Sequence, residues 1–151
     1  MIQTLHHQNT ETAKLILDVQ LPAYRKEAEI IKFDGIPQLS DTVDSIQMSE
    51  ETFIGCYREG EVAGVLSFKQ TNDSVRICRL VVHPDYFRMG VAKEIMEYLL
   101  AASDKEFVVS TGADNVPAVK FYERFGFEEV ERSEPVEGIF LTHLKKEAKS
   151  G

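Results

Sequence analysis

Residues 81–92 of the sequence read VVHPDYFRMGVA. The apolar run before this stretch predicts a strand that ends at His83-Pro84, because proline cannot donate a hydrogen bond to a neighbouring strand. Gly90 then precedes residues 91–102, where apolar side chains recur with the spacing of an amphipathic helix. A strand, a tight loop and a helix in succession predict an α/β fold.

The start of this helix is a candidate anion site. The first amide N–H groups of a helix have no partner within it, and the helix dipole leaves that end partly positive, so a pyrophosphate could accept several hydrogen bonds at once. Gly90 lacks a Cβ and Ala92 has the smallest one, so the backbone can approach phosphates closely. Arg88 can add a charge-assisted contact. The alternative is that Gly90 only eases the turn into the helix, since one glycine is weak evidence.

A second patterned segment, residues 115–127, reads NVPAVKFYERFGF. Asn115 suits a helix N-cap, Pro117 suits the first helical turn, and Gly126 suits a left-handed residue after the helix. Tyr122 falls on the apolar face of this helix. Spacing alone favours an ordinary packed aromatic whose hydroxyl reaches a partner.

The remaining periodicity predicts one domain over residues 1–151, with helices on both faces of a mixed sheet. Its order is an antiparallel meander, a β-α-β unit with parallel strands, and a closing hairpin. The predicted strands are Met1–Leu5, Thr52–Tyr57, Val62–Lys69, Val75–Val82, Glu106–Thr111, Phe127–Arg132 and Ile139–Lys145. The predicted helices are Thr10–Tyr24, Asp41–Met48, Val91–Ala102 and Val116–Phe125.

Composition narrows the possible partners and compartment. A net charge of −8 argues against nucleic acid, and no apolar run approaches the roughly 20 residues that a membrane span needs. The first residues do not resemble a secretory signal, which leaves a cytoplasmic location as the expectation. Cys56 and Cys78 are predicted to be reduced, buried thiols. No residues have metal-ligand spacing, so no metal is expected.

Together the two segments resemble the GNAT superfamily of N-acetyltransferases. The family signature Gln/Arg-x-x-Gly-x-Gly/Ala falls on residues 87–92, with Phe87 where the family usually has Gln or Arg. The pattern Asn-x-x-Ala-x-x-Phe-Tyr-x-x-x-Gly-Phe matches residues 115–127 at every named position. The motifs and the strand order cover about residues 52–145. The resemblance implies a GNAT-like fold with splayed central parallel strands.

The resemblance also implies an acetyl-CoA-dependent N-acetyltransferase and assigns site residues. Tyr122 would protonate the departing thiolate as the general acid, and Asn115 would order the acyl-CoA side of the cleft. The pantetheine arm would lie between the splayed strands against the backbone of Leu80, Val81 and Val82. The pyrophosphate would be bound at Arg88, Met89, Gly90, Val91, Ala92 and Lys93.

The sequence does not single out one general base. Many family members carry a glutamate on the fourth strand, whereas Val75–Val82 contains no carboxylate. The candidates are Glu27, Glu29 and Asp34, which are predicted to follow the first helix, His143 on the last strand, or a chain of waters.

The sequence also leaves open the identity of the acceptor and whether the protein transfers an acetyl group at all. The acceptor could be a small-molecule amine or a protein amine, and the acidic segment Glu27–Asp44 favours a small cationic amine. A homodimer is possible. The rival to an enzyme is an acyl-CoA sensor of the same fold that does not transfer, which Phe87 and the carboxylate-free strand keep open.

Overall fold

The computed structural model describes residues 1–149 and contains a mixed sheet of seven strands. The strands are β1 Ile2–Leu5, β2 Thr52–Arg58, β3 Glu61–Gln70, β4 Ser74–Val82, β5 Glu106–Gly112, β6 Glu128–Val136 and β7 Ile139–Lys146. The α-helices are α1 Thr10–Ile31, α2 Val43–Met48, α3 Val91–Ala102 and α4 Val116–Arg124, and short 3-10 helices span Pro37–Ser40 and Pro84–Tyr86. Ser150 and Gly151, which belong to the predicted domain, lie outside the described residues.

The strand order is β1-β2-β3-β4-β5-β7-β6, and β4 and β5 form the parallel pair. One apolar core lies between the sheet and α1 with α2, around Ile16, Ile46 and Phe53. The other lies between the sheet and α3 with α4, around Ile95 and Phe107. The predicted mixed sheet with helices on both faces is therefore confirmed.

The first helix is longer than predicted. It continues past Tyr24 to Ile31 and includes Pro22, and it ends at Lys32 in a left-handed conformation with φ 55°. The prediction stopped too early because the apolar stripe becomes sparse after Tyr24. Glu27 and Glu29 consequently lie on α1 and not in a segment after it. Within residues 1–149, no helix is both long enough and apolar enough to cross a membrane.

Most strand boundaries differ from the predicted ones by one residue, and three further boundary differences have identifiable causes. The second helix begins at Val43 because Thr42 and Ser45 form a reciprocal capping box. Phe125 caps α4 and is not part of it. The sixth strand extends to Val136, beyond the predicted Arg132, because it pairs with β7 as far as the hairpin turn.

The parallel strands separate halfway along their length. Their pairing runs from Ser74 opposite Glu106 to Ile77 opposite Val109, after which β4 pairs only with β3 and β5 only with β7. Cys78 is the extra residue of a β-bulge, since Ile77 lies opposite Phe68 while Arg79 lies opposite Ser67. A bulge bends the strand that contains it. The predicted splay of the two central strands is confirmed.

Arg79 joins β4 to the segments around α2. Its Nη1 donates to Asp41 at 2.6 Å and to Gln20 at 2.8 Å, and its Nε donates to Glu51 at 3.0 Å. The side chain is only 8% exposed, and its guanidinium lies 5.3 Å from the centre of the Phe53 ring. Burial acts to raise the pKa of the Asp41 and Glu51 carboxyls, but their hydrogen bonds, including those from Arg79, outweigh it and lower both values.

We expect Arg79→Leu to reduce the free energy of unfolding at pH 7 by about 3 kcal/mol, because it leaves two carboxylates poorly solvated and without their cation. Urea unfolding measures this loss, and Arg76→Leu, an exposed position on the same strand, is the control. The lowered carboxyl pKa values stabilise wild type above about pH 4, and acidification removes that contribution. The variant should therefore lose less stability than wild type between pH 7 and pH 3. Equal losses on acidification would contradict this account.

Candidate active site

A cavity of about 500 Å³ occupies the separation between β4 and β5. Side chains reach it from both faces of the sheet: Tyr24 and Glu27 from α1 on one side, and Ala118 and Tyr122 from α4 on the other. The splayed strands therefore open a passage through the sheet. Further lining residues are Ile31, Phe33, Ile36, Pro37, Arg76, Cys78, Arg79, Leu80, Ser110, Asp114, Val136, Ile139, Phe140 and Leu141.

Tyr122 is 6% exposed and packs edge-on against Phe121 and Phe127, with ring centroids 5.4 and 5.5 Å away. Every fully buried side-chain nitrogen or oxygen in residues 1–149 has a hydrogen-bond partner. The Tyr122 hydroxyl has none among these residues, so it opens into the cavity. Burial, and secondarily the nearby Glu27 carboxylate, raise the pKa of this phenol. The phenol therefore stays in its acid form at neutral pH.

Glu27 faces Tyr122 across the cavity. Its Oε1 accepts a hydrogen bond from Asn115 Nδ2 at 2.8 Å, and burial raises the pKa of the carboxyl while this hydrogen bond opposes the rise. Tyr24, one helical turn earlier on α1, also lines the cavity, and burial followed by the Glu27 charge raises its pKa. Sequence reasoning did not single out Tyr24. Its spacing of three residues from Glu27 was the available signal.

The other base candidates lie away from this arrangement. Glu29 is exposed and pairs with Lys26 at 3.7 Å, and Asp34 is exposed outside the cavity. His143 is hydrogen-bonded through both ring nitrogens, to Ser110 at 2.6 Å and to Ser133 at 2.8 Å. Of His143 and its two serine partners, only Ser110 lines the cavity.

Asn115 is buried and caps α4, as its position predicts. Its Oδ1 accepts a hydrogen bond from the Ala118 N–H at 3.3 Å, while its Nδ2 donates to Glu27. The Asn115 side chain thus connects the start of α4 to Glu27 on α1, which lies 88 positions earlier in the sequence. It does not itself line the cavity.

Gly90 is the N-cap of α3. It adopts a left-handed conformation with φ 76°, and Arg88 is also left-handed with φ 65°. The first helical hydrogen bond runs from the Glu94 N–H to the Gly90 carbonyl at 3.0 Å. The N–H groups of Val91, Ala92 and Lys93 consequently precede the helical ladder.

The surroundings of this helix start are open. A Cβ built at Gly90 would meet no atom within 4 Å, and Arg88 and Met89 are exposed. The Val91 side chain is buried in the core beside Gly64, where a Cβ would come within 2.6 Å of it, so Val91 offers only its backbone to a ligand. A negatively charged group fits these exposed amides and the adjacent arginine.

Leu80, Val81 and Val82 lie on β4 beyond its last pair with β5, so their backbone borders the split. The Leu80 side chain lines the cavity, while Val81 is buried against the α1 face. The prediction of two buried thiols is wrong for Cys78. It is a half-buried thiol on the cavity wall because the bulge displaces it, whereas Cys56 is fully buried.

Solved structures share this architecture. The ribosomal-protein-S18-alanine N-acetyltransferase from Escherichia coli superposes with a TM-score of 0.76 and 16% identity over 100% of this chain and 96% of its own. An aminoglycoside 6'-N-acetyltransferase complexed with coenzyme A gives a TM-score of 0.71 and 13% identity over 97% of this chain and 96% of its own. At these identities, the likeness establishes the fold, which is that of acyl-CoA N-acyltransferases.

The family follows from sequence similarity. Residues 20–148 match the model of the acetyltransferase (GNAT) domain, so the chain belongs to the GNAT acetyltransferase family. The UPF0157 protein YqkA from Bacillus subtilis strain 168 is 40% identical over 144 residues, which cover 94% of this chain. That match covers 42% of YqkA, so the chain spans about two fifths of the length of this curated relative.

We expect Asn115→Ala to destabilise the protein by about 1 kcal/mol, because α4 loses its cap. The same change removes the hydrogen bond that opposes the raised pKa of Glu27, so that pKa should rise further. Urea unfolding and an NMR titration of the Glu27 carboxyl measure the two effects. Asn9→Ala removes the cap of α1 and is the control, since it should cost similar stability without moving the Glu27 titration. An unchanged Glu27 titration in Asn115→Ala would contradict the predicted coupling.

Proposed function

We propose that the chain is an acetyl-CoA-dependent N-acetyltransferase that acts on a primary amine by direct attack on the thioester. The observation that carries the proposal is the passage through the split sheet, where Tyr122 on one face and Glu27 on the other line a single cavity. An acyl donor and an amine can thus meet from opposite sides. No protein nucleophile is needed for this chemistry.

The residues present fit the donor. The amides at the start of α3 and the Arg88 guanidinium suit a pyrophosphate. The backbone of Leu80, Val81 and Val82 would hydrogen-bond the pantetheine amides in the manner of an added strand. When bound, acetyl-CoA would supply the acetyl group as an activated thioester.

The protein groups then have distinct tasks. A main-chain N–H near Leu80 would bind the carbonyl oxygen as it gains negative charge. Tyr122 would donate its phenolic proton to the departing sulfur. Asn115 would support the site as the cap of α4 and as the hydrogen-bond donor to Glu27.

The acceptor is a small-molecule amine or a protein amine. The names of the two similar structures refer to a ribosomal-protein alanine and to an aminoglycoside, which supports an amine of one of these kinds.

We further propose a single cytoplasmic domain over residues 1–151 that acts without nucleic acid or membrane and is compatible with a homodimer.

The direct test measures coenzyme A thiol release from acetyl-CoA in the presence of a panel of primary amines, together with acetyl-CoA binding by calorimetry. Thiol release that depends on an amine supports the transferase. Binding without thiol release above background would instead indicate the sensor alternative. A protein that neither binds nor turns over would refute the site assignment as well.

We expect Tyr122→Phe to lower kcat by one to three orders of magnitude, because the departing thiolate loses its proton donor. The acetyl-CoA Kd should remain within about twofold of wild type, since the phenol acts after binding. Steady-state kinetics and calorimetry provide both values. Tyr98→Phe, at an exposed position on α3, is the control. A wild-type kcat in Tyr122→Phe would remove this residue from the mechanism.

We expect Gly90→Gln to weaken acetyl-CoA binding at least tenfold, because a side chain at this N-cap occupies the open space in front of the helix amides. Gly60→Gln is a matched control, since Gly60 is also left-handed with φ 81° and open but lies in the β2–β3 turn. Both variants should lose about 1 kcal/mol of stability from backbone strain. Equal acetyl-CoA affinity in the two variants, measured by calorimetry, would show that the anion site lies elsewhere.

A further inference from the structure

The split sheet assigns different faces to the two substrates of the proposed reaction. The start of α3 and Tyr122 on α4 belong to the face that carries the α3–α4 core. Tyr24 and Glu27 reach the cavity from α1 on the opposite face. If the acyl donor approaches along the α3 side, the acceptor side of the cavity is the one that α1 borders.

Glu27 can bind a cation on the side of the cavity that α1 borders. One carboxylate oxygen accepts the hydrogen bond from Asn115, and within residues 1–149 no lysine, arginine or histidine forms an ion pair with it. The second oxygen is therefore available to an ammonium group. Asn115 fixes the direction of the carboxylate, which a positioned base requires.

The walls around Glu27 are mainly apolar. The end of α1 and the following turn contribute Ile31, Phe33, Ile36 and Pro37, and the β6–β7 hairpin adds Val136, Ile139 and Leu141. Gly35 allows the Phe33 ring to lie against the turn, because a Cβ at that position would overlap the ring. An apolar body of a ligand would bury its surface against these side chains.

Among the described residues, the cavity wall has no second buried carboxylate that could pair with another ammonium group of a polycation. Asp41 and Glu51 already neutralise Arg79, and Arg76 adds an exposed positive charge to the wall. Asp114 is the other acidic residue among the described lining residues, and it is exposed to solvent. A second ammonium group would therefore lie against apolar side chains or near an arginine.

We propose that Glu27 binds the acceptor ammonium and removes its proton, and that the acceptor is a primary amine with one positive charge on an apolar body. The inference rests on the proposed acetyltransferase function. Its support is the Glu27–Asn115 pair, the placement of Glu27 across the cavity from Tyr122, and the apolar walls.

The proton transfers balance as follows. Glu27 takes one proton from the ammonium, and the free amine forms the C–N bond to the acyl carbon as the C–S bond breaks. Tyr122 gives its proton to sulfur and regains one from the new amide nitrogen. Glu27 then releases its proton to solvent, so the products are an amide, a thiol and one proton.

The test of Glu27 compares Glu27→Gln with Glu29→Gln, which removes the same charge from an exposed position of the same helix. The glutamine keeps an oxygen that can accept from Asn115, so the variant should fold. We expect kcat/KM at pH 7 to fall about 100-fold or more in Glu27→Gln and to remain unchanged in Glu29→Gln.

The pH profile separates a base from a structural residue. In Glu27→Gln the rate should rise about tenfold per pH unit toward the pKa of the amine, near 10, while wild type reaches a plateau once Glu27 is ionised. A loss of rate that is the same at every pH would overturn the assignment, and so would an unchanged rate. The ionisable groups that share the cavity with Glu27 are Tyr24, Tyr122, Cys78, Arg76, Arg79 and Asp114.

The acceptor class is tested with 2-phenylethylamine, hexylamine, spermidine and kanamycin at equal concentrations. We expect kcat/KM for the two monoamines to exceed that for spermidine and kanamycin at least tenfold. Turnover that favours spermidine or kanamycin would overturn this inference and leave the proposed function intact. No thiol release with any amine, on protein that binds acetyl-CoA, would instead refute the proposed function.

Discussion

The separation of two parallel strands controls the rest of this molecule. β4 and β5 are paired for four residues each, and then β4 follows β3 while β5 follows β7. The bulge at Cys78 bends β4 at that point, and β7, inserted between β5 and β6, holds β5 on its other side. Because the sheet opens there, side chains from helices on opposite faces line one cavity. In an unbroken sheet, Tyr122 and Glu27 would be separated by a layer of backbone.

Periodicity and two short motifs were enough to predict the class of fold, the order of its elements and the parallel pair. These features depend on local hydrophobic pattern and turn residues, which are visible in a single sequence. The extension of α1 to Ile31 was missed because tertiary contacts hold that end of the helix. Ala28 and Ile31 pack against the core, and Glu27 accepts a hydrogen bond from Asn115, which a local pattern does not reveal. The bulge was missed because Cys78 reads as one more apolar residue in a strand. Both features bear on the site, because the extended helix positions Glu27 and the bulge lies where β4 separates from β5.

The departure at Phe87 has a structural explanation. Phe87 is 44% exposed and is the C-cap of the short 3-10 helix, and the turn that follows depends on left-handed conformations at Arg88 and Gly90. The amides that precede the helical ladder are set by this backbone path, so their direction does not depend on the side chain at residue 87. A glutamine or arginine there could add a contact, but Arg88 already brings a positive charge to the same loop.

The distribution of acidic residues shows why net charge is a poor guide to an acceptor. Within the segment Glu27–Asp44, Asp41 neutralises Arg79, Glu29 pairs with Lys26, and Asp34 and Asp44 are exposed outside the cavity. Glu27 is the acidic residue of that segment that lines it. Asn115, which belongs to the second motif, donates to this carboxylate while it caps α4. One amide side chain thus links the helix that carries Tyr122 to the carboxylate on α1, and the relative placement of these two groups depends on it.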